Sequence, residues 1–370
     1  MRVRRSPHLV LYWRRGTLVI RNYATATTAE ADPFICRLLD FCRTWRTMEE
    51  IGAALAAGPS PLLPKLIRRL VAGSFLLRSD RPADARETAM GALASWNPEA
   101  GFFHTATKQV RFWAPEEAKR RARDKAREAP MPPPVKSYPR ARSIALPAPL
   151  PSGDVGRVAL ARRTWRRFSA AGVTLDELAT VLGLSVGVQK WVRVGKREVP
   201  LKTSPSGGAR HPVEAYVVVR KVRGLGPGVY HYHAGRHVLE HLRGAPPDAR
   251  IRAYMPRSGH FARASALVFL TAVLERQLWR YPYSRAYRAA LIEAGHVAQT
   301  FCLAATALGL APFSVMGLAD SIIEQDLGVD GITEPVLYAA GVGRPPAGVS
   351  WAPLPHGTLP ARANPRLKSV

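Results

Sequence analysis

The chain has 370 residues, room for about two domains, and its 47% hydrophobic and 22% charged content excludes a mainly disordered or collagen-like protein. Lys and Arg total 54 against 27 Asp and Glu, a formal charge of +27, so anionic partners are expected: nucleic acid, phosphorylated cofactors or acidic peptides. Three cysteines exclude a disulfide framework and fit a reducing compartment.

Arg4 and Arg5 precede an apolar stretch, His8 to Trp13, that ends at Arg14 and is too short for a secretory core. The longest apolar run, Ala264 to Leu274, falls short of the ~18 residues of a membrane helix. A cytoplasmic protein without a membrane partner is expected.

Residues 1 to about 105 open with a hairpin, Leu9–Trp13 and Thr17–Arg21, around Gly16. Ile35, Leu38, Leu39 and Cys42 share one helical face. Leu63, Leu66, Ile67, Leu70 and Val71 repeat at amphipathic helix spacing until Gly73, and Phe75–Leu77 form a short strand. Together these suggest a small winged-helix-like domain. Residues 106–157 read as a linker: a helix charged on all sides over 116–128, then a proline-rich extended stretch. The charged helix is expected to be solvated, and a nucleic-acid contact is the lesser reading.

The larger domain spans 158–345. Thr174 and Glu177 form a capping box for a helix to Gly183. Val213–Val222 is a strand buried on both faces. Further strands are expected at Val229–His233, His237–Leu242, Ala264–Leu274 and Pro335–Gly341. A long helix with apolar or small residues on most of its surface carries Leu291 to Leu308 and is central or lies in a dimer interface. The mixture makes an α+β domain. Residues 346–370 form a Pro/Arg-rich tail.

Several stretches bear chemistry. Arg162, Thr164 and Arg166 crowd guanidinium and hydroxyl donors as a phosphate monoester requires, although a basic solvated turn gives the same pattern. Thr203–Pro212 holds Ser206, Gly207 and Gly208, where adjacent glycines let backbone N–H groups approach a flat ligand. It lacks the Lys of a Walker loop, and it precedes rather than follows a strand, unlike a dinucleotide fingerprint. Arg280–Tyr281 can serve proton transfer, or the segment is a helix start packed with aromatics. His231, His233, His237 and His241 straddle a hairpin with no carboxylate or Cys completing a metal set, so no metal is expected. Cys302 reads as core, and Ser206 has no His/Asp partners for a hydrolase triad.

In this order the segments 162–168, 203–219, 226–242, 280–313 and 334–345 resemble the SagB/McbC-type FMN-dependent dehydrogenases of the nitroreductase superfamily, which act in thiazole/oxazole-modified peptide biosynthesis. The first part, more weakly, is similar to winged-helix peptide-recognition modules. The resemblance implies a nitroreductase-like fold, a central mostly antiparallel sheet flanked by helices, and a homodimer with FMN at its interface. It places Arg162, Thr164 and Arg166 on the FMN phosphate and ribityl chain, with Arg344 as a second phosphate contact. It sets Ser206, Gly207 and Gly208 along the isoalloxazine and the Met316 and Gly317 amides near flavin N5. It also implies a modified precursor peptide and a cyclodehydratase partner.

One departure stands out. The family often shows Lys-Tyr where this chain has Arg280–Tyr281. Arg stays protonated and cannot be a general base, so Tyr281 has to serve, with Arg280 lowering its pKa; His296 and Tyr287 are weaker candidates. The implied reaction removes a proton and a hydride from an azoline ring to give an azole, the flavin taking the hydride. The competing readings are an NAD(P)H-dependent flavin reductase on small molecules, a peptide- or nucleic-acid-binding module, and a non-catalytic scaffold subunit.

Overall fold

The computed structural model describes residues 1–55, 62–108, 114–128, 153–194 and 197–349. The proline-rich stretch 129–152 and all but the first residues of the tail lie outside them.

The chain opens with β1 (Arg2–Arg5) and a meander of β2 (Leu9–Arg14), β3 (Thr17–Asn22) and β4 (Thr27–Glu30). The expected hairpin is β2–β3. Arg15 and Gly16 close it with φ of 50° and 82°, the left-handed pair that a two-residue turn needs to match strand twist. α1 (Pro33–Phe41) is capped by Asp32, whose side chain accepts from the Ile35 amide. After the short β5 (Arg46–Thr47), Thr47 and Glu50 make a capping box for α2 (Met48–Ala54). α3 (Leu62–Ala72) ends at Gly73 as its periodicity predicts, and β6 (Leu76–Arg78) follows. β5 and β6 flank β1 in a second three-stranded sheet. Val3, Ile20, Leu38, Ile51, Ile67 and Leu76 meet in one core.

α4 (Ala85–Gly91) and α5 (Pro98–Lys108) have no counterpart in the sequence reading, and they fasten this first part to the rest. Tyr23, Ala24, Met90, Leu93 and Trp96 share one buried cluster with Ala272, Leu274, Leu278, Ala286, Ala290 and Ile332. The Lys108 ammonium binds the Glu324 carboxylate at 2.8 Å. α6 (Pro115–Glu128) is the expected charged helix, with Glu117 paired to Arg121 at 2.9 Å. α7 (Gly153–Ala161) begins inside the stretch read as linker.

The second part starts with β7 (Val173–Thr174) and α8 (Leu175–Ser185), where the capping box between Thr174 and Glu177 is present and the helix runs two residues past Gly183. β8 (Val188–Val194) and β9 (Arg197–Lys202) form an unforeseen hairpin. Then come β10 (Val213–Val219), β11 (Val222–Arg223), β12 (Gly228–His233), β13 (Val238–Gly244), α9 (Asp248–Ala253), β14 (Ala266–Ala272), α10 (Leu274–Arg280), α11 (Arg285–Ala307), β15 (Ala311–Val315), α12 (Asp320–Leu327) and β16 (Val336–Gly343). The sheet order is β13-β12-β10-β14-β16-β15, antiparallel at every pairing.

This sheet is covered on both faces, so its inner strands alternate between two cores. Val217, Val268 and Val342 pack under α8 and α11. Val218, Leu267, Phe269 and Ala339 pack against Ile251, Tyr254 and Ile323 of the opposite layer. Each such side chain contributes roughly 1.5–3 kcal/mol by leaving water. The strand expected over 213–222 is corrected at its end: the Arg220 and Lys221 amides both turn to the Ser265 carbonyl at 3.0 Å. Among the described residues no helix is long and apolar enough to cross a membrane.

Candidate functional site

Residues 162–168 leave α7 and cross the edge of the sheet at β15. The Trp165 amide donates to the Pro312 carbonyl at 2.9 Å, and the Phe168 ring lies 5.9 Å from the Phe313 ring. Arg162 acts on the α11 side, where its charge reaches the Cys302 thiol. Arg166 reaches His260 on the other. Arg162 and Thr164 are half-buried and Arg166 is exposed. Among the described residues neither arginine has a carboxylate at ion-pair distance, so both guanidinium groups remain available to an anion.

Arg344 is committed differently. Its Nη2 donates to both Glu177 oxygens at 2.7 and 2.8 Å, and its Nε donates to the Gly172 carbonyl at 3.2 Å. The Arg344 carbonyl accepts from the Ser169 amide at 2.9 Å. Arg344 therefore ties the capping box of α8 to the end of the cationic segment.

Ser206, Gly207 and Gly208 lie in the turn between β9 and β10. The backbone is left-handed at Gly208, Ala209 and His211, with φ of 63°, 51° and 45°. Strain at non-glycine positions of this kind costs on the order of 1–3 kcal/mol each and is found where function demands a shape. The shape is held by the His211 amide donating to Ser206 Oγ at 2.9 Å and by Arg210 Nε donating to the Gly208 carbonyl at 2.7 Å. His211 Nε2 also lies 3.1 Å from the Pro200 carbonyl.

The glycines make room for side chains from α10 and from Tyr281, the residue that caps its C-terminus. A Cβ on Gly207 would stand 2.8 Å from Gln277 Nε2, and one on Gly208 would stand 2.7 Å from Tyr281 Oη. The structure thus brings Tyr281 against the predicted flavin loop. Arg280 is exposed, its guanidinium 6.0 Å from the centre of the Tyr281 ring. Gln277 is 1% exposed, and among the described residues its Oε1 has no hydrogen-bond partner. The sequence reading missed it, because a lone Gln in a short helix carries no motif. Glu293 lies 3.8 Å from His211. Burial pushes the glutamate up and the histidine down to about 4, so near neutrality the imidazole is uncharged and the contact is not an ion pair.

Met316 and Gly317 follow β15, and Met316 is 78% exposed. They line a cavity of about 480 Å³ together with Phe103 and His104 of α5, Tyr287 and Leu291 of α11, and Asp320. His104 Nδ1 is hydrogen-bonded to Tyr287 Oη at 3.0 Å. Burial, aided by Lys108, pushes His104 down to about 3, and burial lifts Tyr287 to about 12. Burial, with Glu324 nearby, lifts Asp320 to about 7.

The histidines on the β12–β13 hairpin need one correction. Carboxylates do reach one of them: His231 lies 3.0 Å from Glu214 and 2.8 Å from Glu240. These bonds raise the His231 pKa, and Arg276 holds Glu214 from the other side. Among the described residues no group of three His, Cys, Asp or Glu side chains is placed to hold a metal ion. Cys302 is buried as expected, with its thiol lifted to about 11. His296 is exposed, 3.4 Å from the Pro205 carbonyl.

Helix α11 divides these groups. Ala289, His296 and Thr300 lie beside Gly207, Pro205 and Ser204. Tyr287, Leu291 and Cys302 face the cavity and Arg162. At 3.6 residues per turn the two sets stand roughly 170° apart. On the second flank Pro312, where the cationic segment docks, is four strand residues from Met316, roughly 13 Å. Cationic donors at one end of β15 and the exposed Met316 at the other suit an elongated anion with a flat head.

A model of the nitroreductase family matches residues 159–344, half of the chain and the whole of the antiparallel sheet with α8 and α11. The chain belongs to the nitroreductase family. The trifolitoxin-processing protein TfxB of Rhizobium leguminosarum bv. trifolii is 35% identical over 148 residues, 39% of each chain. MJ1384 of Methanocaldococcus jannaschii, a nitroreductase by its name, is 34% identical over 170 residues, 46% of this chain and 82% of that one. The microcin B17-processing protein McbC of Escherichia coli is 30% identical over 136 residues, 34% of this chain and 48% of that one. The chain thus spans less than half the length of the two relatives named for processing, which agree with the SagB/McbC-type resemblance.

Proposed function

We propose that this nitroreductase-family oxidoreductase binds FMN and dehydrogenates azoline rings in a ribosomally made peptide. The observation that carries the reading is the arrangement along β15: unpaired Arg162 and Arg166 with Thr164 at one end, and the Met316–Gly317 backbone beside a cavity at the other. The donor set fits a phosphorylated flavin, whose phosphate the cationic segment would hold. FMN, when bound, supplies a two-electron acceptor. Gln277 Oε1, buried and without a hydrogen-bond partner among the described residues, suits a ring N–H donor. Arg344 supports the phosphate end by fixing Ser169.

Tyr281 Oη, against the left-handed turn at Gly208, is the group that takes a proton from the substrate ring carbon. Arg280 cannot take it; its guanidinium lies 6.0 Å from the ring centre, a positive charge beside the phenolate that accepts the proton and becomes the phenol. Because the loop and Tyr281 lie across α11 from Arg162 and Met316, one chain does not bring the two sets face to face. Between them α11 exposes Arg288, Ile292, Gly295 and Gln299. This strip supports a homodimer in which the loop of one copy meets the β15 flank of the other. Residues 1–105 we read as a winged-helix-like module for the precursor peptide, with a cyclodehydratase as the further partner and the cytoplasm as the compartment.

The test is the visible absorption spectrum of the purified chain. Flavin bands with about one FMN released per chain on denaturation are expected. A colourless protein that takes up no added FMN overturns the proposal. Bleaching of bound flavin by NAD(P)H without azoline turnover would favour a small-molecule reductase.

A further inference from the structure

The cavity beside Met316 and Gly317 is closed by a helix from outside the family-matched region. Phe103 and His104 belong to α5, whereas the family match begins at residue 159. At about 480 Å³ it suits one ring and its immediate neighbours. Its walls are apolar or aromatic, with Phe103, Tyr287, Leu291 and Leu337 among them. Four titratable side chains interrupt them, His104, Lys108, Tyr287 and Asp320. Tyr287 Oη is already bonded to His104 Nδ1. Asp320 has no ion-pair partner: among the described residues no cation lies within ion-pair distance of its carboxyl and no side chain donates to it, so only its own backbone amide and the more distant Lys108 charge oppose the effect of burial.

We propose that this chamber seats the substrate ring, and that Asp320 holds the ring by donating a hydrogen bond to an sp² nitrogen of a neutral heterocycle. The inference deepens the azoline reading and rests on it for the identity of the ring. Its physical basis is the surroundings of Asp320. Lys108, the nearest cation, gives its ammonium to both Glu324 oxygens, at 2.8 and 2.9 Å, and to the Gly331 carbonyl. Glu324 adds negative charge, and His104 and Tyr287 are uncharged near neutrality. A carboxyl so placed keeps its proton to about pH 7 and is then a donor. An imine-type nitrogen offers an accepting lone pair. A cationic amine finds no ionised partner until the pH rises. His104 is a positioning residue that holds the Tyr287 ring as a wall.

Binding of 2-phenyl-2-thiazoline, a base too weak to protonate in the range used, tests this. Equilibrium dialysis is run on the full chain from pH 6 to 8.5, with and without FMN. Kd is expected to rise about tenfold or more as Asp320 ionises, the sign following from loss of the donor. Asp320→Asn, which keeps a donor, should bind with a flat pH profile. Asp320→Ala should lose about tenfold at pH 6. Phe103→Ala and His104→Phe should weaken binding equally at every pH. A wild-type Kd that is flat or falls with pH overturns the proposal, as does binding indifferent to both Asp320→Ala and Phe103→Ala. FMN uptake is scored separately. Without it, an Asp320-dependent profile upholds the chamber while the flavin reading fails. With it, indifference to Asp320 removes the chamber alone.

Discussion

At the scale of single residues, Tyr281 and Gly208 are each shaped by the other. Gly208→Ala puts a Cβ on a φ of 63° and within 2.7 Å of the phenol oxygen. The expected cost exceeds about 1 kcal/mol, read as a lower urea midpoint, and in the Tyr281→Phe background the cost should shrink. Tyr281→Phe alone should keep its FMN and lose roughly 10²–10⁴ in turnover. An unchanged rate would remove the phenol from the chemistry. Asp320 and His104 give opposite pH signatures. Asp320 holds a proton in the folded chain up to about pH 7 that the unfolded chain releases near 4, so it lowers stability as pH rises through that window. His104 stays neutral in the fold down to about 3 and charges near 6.5 when unfolded, so its stability contribution falls as pH falls between those values. Thermal melts of Asp320→Asn and His104→Gln against pH should flatten the corresponding limbs. Much of the proposed site is visible as pattern in the sequence, because Arg162, Thr164 and Arg166 or Ser206 to Gly208 are dense local patterns. Gln277, His104 and Asp320 could not, since each is ordinary in its own segment and gains meaning only from what the fold lays beside it.

At the scale of elements, the capping box of α8 does two jobs. Glu177 completes the cap and receives the Arg344 guanidinium, so the start of a helix and the end of the cationic segment share one carboxylate. Thr174→Ala should cost about 1 kcal/mol, seen as a lower melting temperature. Arg344→Ala should weaken FMN uptake in a fluorescence titration without removing it, because Arg162 and Arg166 remain. If uptake is abolished, Arg344 is itself the main phosphate ligand. α3, α8, α11, β10 and β14 were legible because each repeats its apolar period over many residues and faces a core. The misses have physical reasons too. In β8 and β9, Trp191 and Leu201 lie exposed and among the described residues no further strand pairs with the hairpin, so alternation carries little signal. β15 opens with Ala311–Pro312 on the sheet edge, a place proline tolerates and sequence patterns discount. α10 follows β14 after Val273, and the two read as one apolar run.

At the scale of the whole molecule, one apolar cluster spans the first hundred residues and the family domain. Trp96 sits in it, packed edge-on against Tyr287 with ring centres 5.1 Å apart. Trp96→Ala should cost about 3–5 kcal/mol, and its effect should appear in one shared unfolding transition. Separate transitions for residues 1–105 and the remainder, seen by calorimetry, would show that the contact does not couple them. The same cluster sets a timetable for synthesis. Tyr23, Met90, Leu93 and Trp96 leave the ribosome early, yet their partners Leu274, Leu278, Ala286 and Ile332 come well over a hundred residues later. At the usual pace of about 5–20 residues per second, that sticky surface waits on the order of ten seconds or more for its cover. The nascent chain is thus a natural client for a holding chaperone, and yield in the cell should depend on how fast ribosomes reach the second half of the message.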